Sequence, residues 1–229
     1  MDNKNLEIIF QDDYLVAVNK PNGLLVHRSS IASLETIFAL QLVRDQTGKK
    51  VYPVHRLDRK TSGVLVFAFD GETAKLLQEQ FSGHTVSKKY LAITRGYFPD
   101  EIEVDYPLTN DRNKKQEAIT FFKTLKRTTL DIPLGEHPTS RYSLVEIFPK
   151  TGRQHQIRKH CNHLRHPIIG DRPHGCNKQN RLFKERWQMT TMLLHAEALS
   201  FVHPVSGADI ILKAGLNEEF LRMKEILGL

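Results

Sequence analysis

The sequence predicts an α+β fold with a mostly antiparallel, mixed central sheet and flanking helices. Strand-like segments follow one another with few helical segments between them, an order that disfavours a doubly wound parallel sheet. The chain has 229 residues, 40% of them hydrophobic, which is enough for one large domain or two small ones. Because no repeat, low-complexity tract or linker interrupts the sequence, we expect a single domain over residues 1–229.

The first half of the chain is predicted to contain two capped helices among its strands. Ser33 is the expected N-cap of the first helix and Asp70 that of the second, since an oxygen at this position accepts a hydrogen bond from a free backbone N–H. The predicted elements are strands at 6–10 and 15–19, a helix at 33–46, a strand at 64–69, a helix from about 71 to 81 and a strand at 88–97.

The second half is predicted to add further strands and two helices. These elements are strands at 119–125 and 142–148, a helix at 153–164, strands at 193–202 and 210–213, and a closing helix at 218–227. Two polar segments, 126–140 and 172–190, are expected to be irregular. They are either ordinary solvated loops or lids over a substrate.

Charge and cysteine content narrow the class of protein. The sequence contains 33 Lys and Arg residues and 26 Asp and Glu residues, which gives a formal net charge of +7. This balance favours a nucleic-acid partner, although basic proteins without one are common. Two cysteines are too few to cross-link a domain of this size, which fits a reducing compartment, and no segment approaches the roughly 20 apolar residues of a membrane span. We therefore expect a soluble, cytoplasmic protein with no membrane partner.

The segment 55–63, HRLDRKTSG, is the strongest candidate for a catalytic site. It places one carboxylate, Asp58, among cations and hydroxyls directly before the apolar run 64–69. Because nearby cations favour the charged form of a carboxyl group, Asp58 is able to act as a nucleophile or a proton acceptor. The alternative is that Asp58 is an ordinary turn residue and that Arg56 and Arg59 are merely solvated.

The segment 149–160 is a second candidate site. A strand is expected to end at Phe148, and a turn at Thr151–Gly152 leads to a helix that begins near Arg153. The cations of this helix form the electrostatic pattern of a surface that binds a phosphate backbone, or else a solvated basic face: Arg153, Arg158, Lys159 and Arg165.

Tyr90 lies in the strand predicted at 88–97, where it faces either the core or a cleft. Its ring can stack on a base and its hydroxyl can transfer a proton, although a tyrosine in a strand usually serves packing. Gly63 and Gly152 are interpreted as turn glycines. The histidines near Cys161 match no strong zinc pattern, and no Walker or dinucleotide fingerprint occurs, so neither a metal nor a cofactor is predicted.

Taken together, these segments resemble the RluA family of pseudouridine synthases. The matching motifs are VNKPNGLLVH at 18–27, HRLD at 55–58 with TSG at 61–63, KYLA at 89–92, TGRQHQIR at 151–158 and HPIIGD at 166–171. Several long motifs in the same order are far more specific than any one of them. Within the family the chain resembles the TruC group, whose members isomerise uridine 65 in tRNA, through 26–29, 140–142, 163–171, Gly175 and 179–181.

The resemblance implies the pseudouridine synthase fold with a basic active-site cleft, and an isomerisation that needs no cofactor or metal. Asp58 would attack ribose C1′ or take the C2′ proton, and Arg153 would be its ionic partner. Tyr90 would stack on the flipped uracil and move the C5 proton. Arg56 would occupy the space that the extruded base leaves.

A tRNA substrate is the partner that the resemblance implies, and we expect a monomer without an N-terminal S4-type RNA-binding domain. The residues expected to contact RNA are Arg56, Arg59, Lys60, Arg158, Lys159 and Arg165. Segments 126–140 and 172–190 are expected to determine substrate choice. The alternatives are another structured RNA such as rRNA, a catalytically silent RNA-binding module, and a hydrolase of a glycosidic bond, which would need a second carboxyl group.

Overall fold

The computed structural model describes residues 5–27 and 37–229. By its internal contacts the chain divides into two compact units, Met1–Lys88 with Ala196–Gly215 and Lys89–His195 with Leu216–Leu229. The single domain expected over residues 1–229 stays a prediction.

Strands outnumber helices in the described residues. The strands are β1 (Glu7–Gln11), β2 (Leu15–Lys20), β3 (Tyr52–Pro53), β4 (Ser62–Ala68), β5 (Ser87–Arg95), β6 (Glu101–Asp105), β7 (Leu108–Thr109), β8 (Lys115–Gln116), β9 (Ile119–Leu130), β10 (Ser140–Pro149), β11 (Leu194–Val202) and β12 (Asp209–Lys213). The helices are α1 (Ala39–Thr47), α2 (Gly71–Ser82), α3 (Gln156–His163), α4 (Asn177–Trp187) and α5 (Glu218–Ile226). The strand pairings given below are antiparallel, and the α+β class is confirmed.

In the first unit, apolar strands pack against an amphipathic helix. β2 pairs with β1 on one side and with β4 on the other, which places Lys20 opposite Gly63. Leu77 of α2 is fully buried in the apolar cluster that β2 and β4 supply. α2 begins as predicted, because the Asp70 side chain accepts a hydrogen bond from the Thr73 backbone N–H. This packing fixes the end of β2 and the start of β4, and the loop that carries Asp58 leads into β4.

In the second unit, β5, β10, β9 and β6 lie side by side. β10 pairs with β5 so that Ile147 is opposite Tyr90 and Tyr142 is opposite Arg95. Successive residues of a strand point to opposite faces of the sheet. The sheet accordingly contributes to two apolar clusters, one of which contains Cys161 of α3 while the other contains Phe183 of α4.

Four predicted elements differ from the structure. Residues 126–130 of the segment predicted to be irregular belong to β9. Most of segment 172–190 is the helix α4, so its expected irregularity is wrong: the helix is polar on most of its surface, and the buried Phe183 gives only a weak apolar pattern. α3 begins at Gln156, three residues later than predicted, because His155 adopts a left-handed conformation with φ of 54°. α1 begins at Ala39, later than predicted, because Phe38 before it has an extended backbone and is the N-cap; the predicted cap Ser33 lies outside the described residues.

Candidate active site

The Asp58 loop, residues 54–61, connects β3 to β4. Val54, Leu57 and Thr61 are buried and anchor the loop to the first unit, whereas Asp58 is half-buried. The Asp58 carbonyl oxygen accepts a hydrogen bond of 3.0 Å from the Thr61 N–H, which closes a tight turn. The carboxylate is therefore carried on a turn whose two ends are fixed by packing.

Lys20, the last residue of β2, is fully buried beside this loop. Its ammonium group donates hydrogen bonds to three backbone carbonyl oxygens, those of Pro21 at 2.9 Å, Leu24 at 2.8 Å and Arg59 at 3.2 Å. Burial lowers the pKa of Lys20 to about 7, and the negative charge of Asp58 acts in the opposite direction. A buried cation thus joins the segment after β2 to the Asp58 loop.

Further hydrogen bonds join the same two segments. The Gly23 N–H donates to the Arg59 carbonyl at 2.9 Å, and the Arg59 Nε donates to the Gly23 carbonyl at 3.0 Å. The Asn22 side-chain amide donates to the Lys60 carbonyl oxygen. The motif at 18–27 and the motif at 55–63, which are separate in the sequence, therefore form one local structure.

Gly63 lies in β4 and not in a turn, which corrects the interpretation made from the sequence. Its φ is +110°, and a Cβ atom at this position would lie 2.1 Å from the Ala196 carbonyl oxygen in β11. A real Cβ cannot approach an oxygen so closely, so the strand backbone requires glycine here. The glycine of the motif allows β11 to lie directly against the strand that follows the Asp58 loop.

His55, the second residue of the loop, has a structural role in the first unit. Its ring stacks on Phe81 with centroids 4.8 Å apart, and its Nε2 accepts a hydrogen bond of 3.1 Å from the Val66 N–H. Burial, together with the nearby charge of Lys88, lowers the pKa of His55 to about 4. His55 is therefore neutral at physiological pH, with its proton on Nδ1 as this hydrogen bond requires.

The Arg153 turn, residues 150–155, connects β10 to α3 in the second unit. Buried Gln156 organises it: the Gln156 Oε1 accepts hydrogen bonds from the Thr151 hydroxyl at 2.7 Å and from the Arg153 N–H at 2.9 Å. The half-buried Arg153 donates from Nε to the Glu117 carbonyl oxygen at 2.9 Å. A neutral amide thus fixes the backbone from which the Arg153 side chain extends.

The hydrogen-bond network continues from Gln156 into the core. Its Nε2 donates to the Ile119 carbonyl at 3.0 Å and to the Thr120 hydroxyl at 2.9 Å. The Thr120 hydroxyl lies 3.0 Å from His160 Nδ1, and His160 Nε2 lies 3.0 Å from the Tyr106 carbonyl. Because a carbonyl only accepts, Nε2 carries the proton and Nδ1 accepts from Thr120. Burial lowers the pKa of His160, which keeps this network uncharged.

Tyr90 lies in β5, half-buried, and packs against the apolar cluster that contains Ile147 and Ile157. Because Ile147 is opposite Tyr90 and β10 ends two residues later, Tyr90 and the Arg153 turn lie at the same end of the β5–β10 pair. The structure thus brings these two predicted catalytic residues to one end of the second unit. Their roles stay predictions.

The residues expected to contact RNA have different surroundings. Arg56, Arg59 and Arg165 are exposed, and Lys60 is half-buried. Lys159 donates from Nζ to the Thr109 carbonyl at 3.3 Å. Exposed cations at these positions are compatible with phosphate contacts, which stay predictions.

Arg158 is largely buried in an ion pair, and its expected RNA-binding role stays a prediction. Its Nε and Nη2 donate to the two carboxylate oxygens of Asp171 at 2.8 Å each. Only 6% of the Arg158 side chain and 1% of the Asp171 side chain are exposed. A bidentate, buried pair of this kind holds α3 against the following segment.

Lys20 and Gln156 are the positioning residues that the sequence reasoning missed, although both lie within the quoted motifs. A signal existed for Lys20, which follows the apolar run 15–18 after one residue, Asn19, and precedes a proline. No comparable signal marks Gln156, because a glutamine in a helix is usually solvated. Only the fold shows that it is buried.

Within 5–27 and 37–229, no three histidine, cysteine or acidic side chains are grouped closely enough to hold a metal ion. None of the helices described in these ranges has the length and apolar character needed to cross a membrane.

Comparisons with known proteins agree with the motifs. The family model described as RNA pseudouridylate synthase matches residues 14–163. The tRNA pseudouridine synthase C of Vibrio vulnificus is 46% identical over 231 residues, covering 96% of this chain and 94% of the relative. The protein of the same name from Salmonella typhi is 45% identical, covering 97% and 90%.

A solved structure, that of human RNA pseudouridylate synthase domain containing 4, is 28% identical with a TM-score of 0.74, covering 97% of this chain and 93% of that one. The resemblance to RluA-type synthases that the motifs indicate is confirmed. Since the family model spans more than half of the 229 residues and the relatives match nearly all of them, the chain belongs to the RNA pseudouridylate synthase family.

Proposed function

We propose that the protein isomerises uridine to pseudouridine in tRNA, at uridine 65. The observation that carries the proposal is the Asp58 carboxylate on a turn that buried Lys20 fixes, inside the region that the family model matches. Relatives named tRNA pseudouridine synthase C support the tRNA substrate. The net charge of +7 suits a polyanionic partner.

The reaction is an isomerisation in which atoms balance within the nucleotide. The bond from uracil N1 to ribose C1′ breaks, the base turns in the pocket, and C5 bonds to C1′. C5 then loses its proton and N1 gains one. Asp58 acts at the sugar, either by attack on C1′ or by removal of the C2′ proton. Both routes need an ionised carboxylate, and the Lys20 charge lies where it attracts that carboxylate.

The remaining roles follow from the family resemblance. Tyr90 stacks on the uracil and moves the C5 proton, and Arg153 is the cation assigned to the Asp58 carboxylate. Gln156 supports the role of Arg153, since the hydrogen bond that Gln156 accepts from the Arg153 N–H fixes the turn. Arg56, which is exposed, fills the space that the extruded base leaves. We further propose that the protein acts as a monomer in the cytoplasm.

The experiment that tests the function is replacement of Asp58 by asparagine, which keeps the size and removes the charge. Purified protein is incubated with an unmodified tRNA transcript, and pseudouridine is mapped at nucleotide resolution. We expect the wild type to modify uridine 65 and Asp58→Asn to be slower by at least about 10³-fold, because the reacting group is lost.

The matched control is Asp13→Asn, which makes the same change at an exposed turn residue and keeps full activity. Wild-type conversion by Asp58→Asn would refute the catalytic proposal. Tight tRNA binding by the wild type without any pseudouridine would favour a silent RNA-binding module. Modification at another uridine would overturn only the assignment of position 65.

A further inference from the structure

The second unit contains a cavity of about 730 Å³ that the proposed catalytic residues do not line. Three segments form its walls: the end of β5, the loop that leads into β10, and the start of α4. The side chains that matter for its chemistry are Arg95, Tyr97, His137, Arg141, Cys176 and Lys178. Its volume lies within the range of about 300–1,000 Å³ that is typical of ligand sites.

The walls of this cavity are held by specific hydrogen bonds. The buried Tyr142 hydroxyl donates to Gln179 Oε1 at 2.8 Å, and burial raises the pKa of Tyr142 to about 12, so the hydroxyl remains a donor. The Ser140 hydroxyl donates to the Ile132 carbonyl at 2.8 Å. The backbones of Leu134 and His137 bond to each other at 2.9 and 3.3 Å. The cavity is therefore part of the folded unit and not a gap between loose loops.

The charge of the cavity is positive. Arg95, Arg141 and Lys178 line it together with one carboxylate, that of Glu136. Over the described ranges 5–27 and 37–229, none of the three cations forms an ion pair with a carboxylate. Unpaired cations that share one concave surface focus a positive potential and attract an anion.

Two of the cations are held in place by neutral contacts. The Arg141 guanidinium lies over the Tyr97 ring, 5.1 Å from its centroid. The Arg95 Nη1 lies 3.9 Å from the Cys176 sulfur. Neither contact neutralises the charge, so both guanidinium groups keep their capacity for charge-assisted hydrogen bonds to phosphate oxygens.

The cavity lies away from the predicted catalytic end of this unit. Tyr90 is opposite Ile147, whereas Arg95 is opposite Tyr142, so five residues of strand separate Tyr90 from the cavity wall. At about 3.4 Å per residue this separation is roughly 17 Å. A uridine held at Tyr90 and an anion held in the cavity would thus be several nucleotides apart along an RNA.

We propose that this cavity binds backbone phosphates of the RNA substrate at a distance from the modified uridine. The inference rests on the proposed function and adds a second contact region to it. Arg141 and Lys178 bind the phosphodiester groups, and the cavity wall positions the RNA without reading its bases. The two polar segments that the sequence analysis connects with substrate choice, 126–140 and 172–190, thereby act through one surface.

Cys176 offers a built-in reporter for occupancy of the cavity. It lines the cavity and is partly exposed, whereas Cys161, the other cysteine of the chain, is fully buried. Alkylation by iodoacetamide, followed by intact mass, therefore reports on Cys176. We expect unmodified tRNA to slow this alkylation at least about tenfold when the site is saturated.

The variant that tests the assignment is Arg141→Gln combined with Lys178→Gln. We expect its Kd for tRNA to rise about tenfold at 0.15 M salt, and the slope of log K against log salt to fall by roughly 1.5, since two phosphate contacts are lost. The matched control is Lys75→Gln with Lys213→Gln, two exposed cations of the first unit, which removes the same charge and leaves tRNA affinity within about twofold.

The outcomes separate this inference from the proposed function. If the wild type converts tRNA but alkylation of Cys176 is equally fast with and without tRNA, the cavity assignment is overturned and the function stands. If inorganic phosphate protects Cys176 while tRNA does not, the cavity takes a small anion and the RNA assignment is overturned. If the wild type neither binds nor converts tRNA, the proposed function and the inference fail together.

Discussion

The Asp58 loop and the Arg153 turn are both held in place by a buried polar side chain, but the two side chains differ in charge. Each carries a predicted catalytic side chain on an irregular backbone segment, and each is held from beneath by one buried polar residue. Under the Asp58 loop that residue is a cation, Lys20, with three carbonyl acceptors. Under the Arg153 turn it is the neutral amide of Gln156, with two donors and two acceptors around it.

The difference determines how each segment responds to pH and to substitution. A buried ammonium whose pKa is about 7 changes charge near neutrality, so the support of the Asp58 loop depends on pH. An amide does not titrate, and the neighbouring His160 is kept neutral by burial. The first support combines attraction of a carboxylate with sensitivity to pH, whereas the second only orients its turn.

The largest expected effect is on the free energy of unfolding, and it distinguishes Gly63, after the Asp58 loop, from Gly152, in the Arg153 turn. Gly63→Ala should lower the free energy of unfolding by more than about 4 kcal/mol, or prevent folding, because its Cβ would meet the Ala196 carbonyl and its φ is positive. Gly152→Ala should change it by less than about 0.5 kcal/mol, since a Cβ there would meet nothing within 4 Å. Urea unfolding of both variants measures the contrast, and equal stabilities would refute the close approach at Gly63.

The next effect tests the charge of Lys20. Its pKa is 10.5 when unperturbed and about 7 in the fold, so between these values the unfolded chain binds one more proton. The free energy of unfolding should then rise with pH by up to about 1.4 kcal/mol per pH unit from pH 7 towards 10, and Lys20→Met should lack this rise.

The measurement for Lys20 is the difference between wild-type and variant stabilities at each pH, which removes the titration of other groups. Parallel curves for the two proteins would show that Lys20 stays charged throughout this range. In that case the pH dependence of stability would not distinguish the Lys20 support of the Asp58 loop from the Gln156 support of the Arg153 turn.

The smallest effect concerns Gln156. Gln156→Leu keeps the approximate volume but leaves the Arg153 N–H and the Ile119 carbonyl without this partner, so it should lower the free energy of unfolding by about 1–3 kcal/mol. The loss should be the same at pH 7 and pH 9, because an amide does not titrate and burial lowers the pKa of His160 from its ordinary value. Gln154→Leu, at an exposed neighbour, is the control and should be nearly neutral. A loss that grows with pH would contradict the neutral network.

Much of the fold could be predicted because local patterns coincide with tertiary packing. The apolar runs of β2 and β4 are buried as expected, and Asp70 caps α2. α4 was missed because its apolar face is narrow, and helix propensity is a weak guide for so polar a segment. The ion pair of Arg158 could not be predicted, since its partner Asp171 is 13 residues away and only the fold brings them together.

The sequence by itself determined the family, the α+β class and the set of candidate residues, because ordered motifs and apolar periodicity are properties of the chain. The tertiary structure alone decided that Lys20 is buried beneath Asp58, that Gly63 meets the backbone of β11, and that three separate cations share one cavity. The physical reason is that burial and the local electrostatic potential depend on residues that are distant in the sequence. The pKa of a lysine is therefore determined by its surroundings in the folded protein.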